Sequence, residues 1–107
     1  KVSFDNKVFS SAIYHAYSSM VNSAKALLIA ENKSTNTHAG IISQFDELFV
    51  ENGKINLGVS FSELIYQINK NAPTEDFASK YIESANLFLD KVRAFRQKES
   101  KLEEQAV

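Results

Sequence analysis

Apolar residues recur at steps of three and four in four stretches of the chain, and this spacing predicts four amphipathic helices. In the first, Val8, Phe9, Ala12, Ile13, Ala16, Met20, Ala24, Leu27 and Leu28 gather on one face. That helix is expected from about Asn6 to Glu31, with Asp5 as its N-cap and Asn32 to Asn36 as a polar turn. The second follows Thr37, a candidate cap, and runs from His38 to about Asn52 on Ile41, Ile42, Phe45, Leu48 and Phe49. Gly53 stands where a C-terminal glycine belongs. Lys54 to Val59 is a connector, and Ser60 with Glu63 has the spacing of a capping box. A third helix on Phe61, Leu64, Ile65 and Ile68 ends near Asn71, before Pro73. Thr74, Glu75 and Asp76 open the fourth, whose stripe is Phe77, Tyr81, Ala85, Phe88, Val92 and Phe95. It is expected to reach about Leu102, with the charged tail from Lys98 onward fraying.

Four such helices with short links predict an all-α, antiparallel up-down four-helix bundle, a single domain over residues 1–107. The polar faces differ in kind. On the first helix Tyr14, Tyr17, Ser18, Ser19 and Asn22 make an outer surface of aromatics and small polar groups instead of charges. Such a surface suits contact with another helix, subunit or domain. Tyr14, Tyr17, Ser18 and Asn22 are therefore the candidate interface, and a homodimer is expected.

Composition narrows the chemistry. With no cysteine there is no disulfide, thiolate metal site or cysteine nucleophile. A net charge of −1 gives no general attraction to nucleic acid. No apolar run reaches membrane-spanning length and no signal-peptide pattern opens the chain, which fits a cytoplasmic protein with no membrane contact. The start at Lys1 without methionine suggests either a processed product or, the preferred expectation, a domain of a longer polypeptide.

Candidate sites are few. His15 and His38 are the two histidines, on different helices, and their spacing supplies no metal-ligand pair. Asp46, Glu47 and Glu51 read as a solvated helix face. Gly40, Gly53 and Gly58 are isolated and form no phosphate loop, and no nucleophile motif is present. Lys91, Arg93, Arg96, Lys98 and Lys101 are a candidate basic patch for RNA, although cations near a helix C-terminus also suit its dipole. A small-ligand groove near His38 and Tyr66 is a further candidate.

The series A-I-Y-H-A-Y-S-S-M-V-N-S-A-K-A-L-L, followed by T-H-A-G-I-I-S-Q-F-D-E-L-F-V-E-N-G-K-I, resembles the HEPN domain family. Ala24, Ala26, Leu27 and Leu28 match the family's aromatic-rich first helix ending in A-x-A-L-L. Thr37, His38, Gly40, Phe45, Phe49, Val50, Gly53 and Lys54 match its second-helix pattern, and A-N-L-F-L-D-K-V-R-A-F resembles its closing helix. The resemblance implies a helical bundle, and in many members a ribonuclease toxin paired with a nucleotidyltransferase. Those members carry an arginine followed four to six residues later by a histidine on the last helix. Here the first arginine is Arg93 and no histidine follows His38, so that pair has no counterpart. The expectation is a non-catalytic branch without a cofactor. Tyr66 to Ala78 is also similar to HEPN-like domains at the C-terminus of some bacterial nitrite and sulfite reductase polypeptides. That likeness implies an accessory domain docking to the rest of such an enzyme. The alternative is a toxin-like protein that binds RNA or a nucleotide and acts with a nucleotidyltransferase.

Overall fold

A computed structural model describes the backbone of residues 2–33 and 35–106, and the side chains of residues 8–33 and 35–99. Four α-helices are present and no strand is found among the described residues. They are α1 (Val2–Ala30), α2 (His38–Phe45), α3 (Phe61–Tyr66) and α4 (Glu75–Ala106). A π-helical segment, Asp46–Val50, continues α2, and a 3-10 turn, Gln67–Asn69, continues α3. The two long helices pack chiefly on each other, and α2 lies against α1.

The helix ends show why these boundaries fall where they do. α1 closes on Asn32, which takes a left-handed φ of 62° while the Lys33 amide donates to the Leu28 carbonyl at 2.8 Å. The Thr37 hydroxyl accepts from the Gly40 amide at 3.0 Å, the Ser60 hydroxyl from Glu63 at 3.1 Å, and the Thr74 hydroxyl from Phe77 at 3.2 Å. Each hydroxyl satisfies an amide that its helix leaves without an internal acceptor. Gly53 has φ +79°, the conformation glycine adopts at little steric cost. The Ile55 amide then reaches back to the Phe49 carbonyl at 2.8 Å, and Ile55 turns into the core.

The core is knit by phenylalanines from three elements and the π segment. Phe45 lies 4.8 Å from Phe61, 5.1 Å from Phe49 and 5.3 Å from Phe88, measured between ring centroids. Phe61 stacks on Phe88 at 4.6 Å, and Phe95 meets Phe49 edge-on at 5.5 Å. Ile13, Met20, Val21, Leu27 and Leu28 of α1 close the other side.

Four expectations need correction. α1 begins at Val2, so Asp5 lies inside the helix and is not its cap. Val8 shares the spacing of the apolar stripe, yet it is 51% exposed. The α-helical part of the second helix ends at Phe45, where the ladder widens to the π pattern. The fourth helix holds its backbone to Ala106, beyond Leu102. The side chain of Lys101 lies outside the described residues.

Candidate functional site

The T-H-A-G stretch is where three structural roles meet. Thr37 caps α2, which turns His38 out at the first helical position. A β-carbon at Gly40 would press on the Thr35 hydroxyl and come within 2.9 Å of the Thr37 hydroxyl, so the glycine keeps that cap in place. His38 then meets α1: its Nδ1 lies 3.0 Å from the Tyr17 hydroxyl, with ring centroids 5.8 Å apart. The Tyr17 hydroxyl donates to Nδ1 in the tautomer that carries its proton on Nε2.

Two further tyrosines flank this pair. Tyr14 sits 6.0 Å from Tyr17 between ring centroids and is 60% exposed. Tyr66, at the end of α3, is also exposed. Burial, and then the neighbouring Tyr66 and Tyr14, push the Tyr17 phenol above its ordinary value, so it stays protonated. Tyr81 of α4 supports the cluster from below. Its hydroxyl donates to the Ile65 carbonyl at 3.0 Å and so holds the turn that presents Tyr66. Burial, then the nearby Tyr17, raises the Tyr81 phenol well above the ordinary tyrosine range.

Tyr14, Tyr17 and His38 thus form one surface, and Tyr66 lies near enough to act on the Tyr17 phenol, so the expected interface and the expected groove adjoin. Ser18 is half-buried and Asn22 exposed on the same helix. The face they belong to is nearly free of charge. Of the eleven exposed positions from Val8 to Ala30, Lys25 alone is charged.

The basic residues of α4 do not make one patch. Lys91 and Lys98 line a cleft of about 650 Å³ with Lys54, Ile55 and Phe95. Arg93 and Arg96 border a different depression beside Ser23 and Leu89, and Arg93 pairs with Asp90 at 3.4 Å. Helical phase separates them, since residues two apart point about 200° from each other.

Asp46 departs most from its expected solvated position. It is 6% exposed, and its carboxylate accepts from the Phe61 amide at 2.5 Å, the Ser62 amide at 3.0 Å and the Ser62 hydroxyl at 2.7 Å. It is therefore the brace that holds the start of α3 to the end of α2. Glu47 and Glu51 are exposed, as a solvated face requires.

The residues shared with the HEPN pattern are thus mostly those that shape the second helix: Thr37, Gly40, Phe45, Phe49 and Gly53. The chain is 33% identical, over 102 aligned residues, to a protein of Methanocaldococcus jannaschii named "Putative toxin MJ0605". That alignment covers 87% of this chain and 75% of the relative. No solved structure matches, and nothing in these comparisons supports the reductase context. No helix among the described residues is long and apolar enough to cross a membrane. A sequence model of the HEPN domain matches residues 1–101, a span that contains all of these caps, glycines and phenylalanines, and the chain belongs to the HEPN domain family.

Proposed function

We propose that this chain is a toxin-like HEPN protein that works through contacts instead of by the family's Arg-to-His chemistry. In this reading it acts as a homodimer, in a pair with a nucleotidyltransferase. One observation carries the contact: from Val8 to Ala30, the part of α1 whose side chains are described, the outer face bears a single charge, Lys25, in eleven exposed positions. On α4, ten of the fifteen exposed positions from Glu75 to Glu99 are charged. A helix face open to water is ordinarily charged, whereas interface centres are depleted in charge and enriched in tyrosine. The toxin-named relative supports the lineage, and the arginine and histidine order supports the absence of ribonuclease chemistry.

Light scattering tests this reading. The expected mass at high concentration is twice the chain mass of 12.0 kDa. Tyr14→Asp places a charge on the exposed ring position and is expected to return the chain mass with helix content unchanged. A monomer at every concentration would overturn the reading.

A second reading is favoured by the ring cluster itself. Tyr14, Tyr17, His38 and Tyr66 offer stacking surfaces for a nucleotide base or single-stranded RNA. Tyr14→Ala is expected to weaken RNA binding by about fivefold or more, from the ~1–3 kcal/mol that stacking on one aromatic supplies. Unchanged binding in a low-salt shift assay would remove this second reading.

A further inference from the structure

Three shallow depressions run together along one flank of α4, away from the tyrosine cluster. The largest lies between the Gly53–Asn56 turn and α4, where Lys54, Ile55, Phe95 and Lys98 line it. Lys91 belongs to it and also to a second depression bordered by Leu57, Leu64 and Leu87. Ile55 and Leu57 join both to a third that reaches Val59. The result is one groove, not three separate pits.

Its chemistry is ordered. Along α4 the lining positions Leu87, Lys91, Ala94 and Lys98 step by four, three and four, so they form one stripe roughly 16 Å long at 1.5 Å per residue. The floor is apolar, and two floor residues remain uncovered, Leu87 at 54% and Val59 at 40% exposure. The rim carries Lys54, Lys91 and Lys98, against one acidic residue, Glu99. Among the described residues the ion pairs are Lys80 with Asp76 and Arg93 with Asp90, and none engages these lysines. Lys91 Nζ donates to the Asn56 carbonyl, which ties the rim to the turn.

We propose that this groove docks an acidic amphipathic helix of a partner protein. Leucine-type side chains would enter the floor, and flanking carboxylates would meet Lys54, Lys91 and Lys98. The stripe spans about three helical turns of 5.4 Å. A phosphate chain or RNA backbone would engage the lysines but leave Leu87, Leu57 and Val59 in water, so a partner with apolar anchors fits better. This docking is independent of the contact through α1.

The test uses the full chain and a fluorescein-labelled peptide of eighteen residues, with leucines on one face and glutamates flanking them. A twin peptide carries lysine in place of every glutamate. Saturable binding of the acidic peptide alone is expected, weakening as salt rises. The Lys54→Glu/Lys98→Glu double variant should lose at least about tenfold in affinity, and Leu87→Ser at least about threefold, both with unchanged circular dichroism. Equal binding of the twin peptides, full binding by the double variant, or no binding of the acidic peptide would each overturn the proposal. So would sodium tripolyphosphate binding that depends on Lys54 and Lys98 while the acidic peptide fails to bind.

Discussion

A carboxylate taken out of water needs donors, and Asp46 has three from the first two residues of α3. Removing it leaves two backbone amides at a buried helix start without an acceptor. Asp46→Ala is therefore expected to destabilise the fold by about 2–4 kcal/mol in denaturant unfolding, while the exposed neighbour Glu47→Ala should change it by under ~0.5 kcal/mol. Nothing local in the sequence distinguishes Asp46 from Glu47 and Glu51, because its partners lie fifteen and sixteen residues on. Tyr81 gives a pH signature by the opposite logic. Its folded-state phenol is raised above the ordinary value of 10 by burial, so folding favours the neutral form. The unfolded chain releases that proton first as pH rises, so the stability is complete below about pH 10 and is lost progressively above it. Thermal melts from pH 8 to 11 should show a decline that begins near pH 10 and is shallower in Tyr81→Phe. An equal decline in both proteins would show that Tyr81 is not its source.

At the scale of elements, the helix starts after α1 were legible, the start of α1 was not, and helix phases were legible only in part. Thr37 and Ser60 stand at the caps that their spacing predicts, Thr74 proves to cap the helix it was expected only to open, and Gly53 ends its helix as expected. Local chemistry suffices there, since a cap acts within three residues. The π-helical segment has no comparable mark. Phe45 and Phe49 satisfy α-helical spacing equally well, and it is contact with Phe61, Phe88 and Phe95 that holds them where the ladder widens. The split of the basic cluster was present in the spacing of Lys91 and Arg93 and required only that helical phase be applied to charges as well as to apolar residues. Gly40 shows the limit of propensity. Alanine is ordinarily the better helix former by about 1 kcal/mol, yet at this position its β-carbon meets the Thr35 and Thr37 hydroxyls. Gly40→Ala is expected to lower the melting temperature by disturbing the Thr37 cap, and Thr35→Ala in the same chain should recover part of the loss. A melting temperature raised by Gly40→Ala alone would show that the hydroxyls yield without cost.

For the whole molecule, shape and charge distribution bear on the same question. The chain measures 59 × 23 × 22 Å, because α1 and α4 are much longer than α2 and α3. So elongated a shape exposes much surface for its core, and α1 offers water a face of tyrosine, serine, alanine, Val8 and Ile29. Covering that face with a second copy would lower the exposed apolar area and couple folding to association. The melting temperature should then rise with protein concentration, by roughly a few degrees for each tenfold increase, and Tyr14→Asp should abolish the dependence. Salt separates this contact from the other two modes of binding. A contact built on the face from Val8 to Ala30, with one charge in eleven exposed positions, would have little Coulomb attraction to screen, so the proposed dimer should persist from 50 to 500 mM salt. RNA stacked on the same tyrosines would still be held in part through its phosphates, and an acidic helix in the lysine groove through its carboxylates, so both should dissociate over that range. A dimer that falls apart with added salt would assign its contact to the charged flank of α4 instead of the uncharged face of α1.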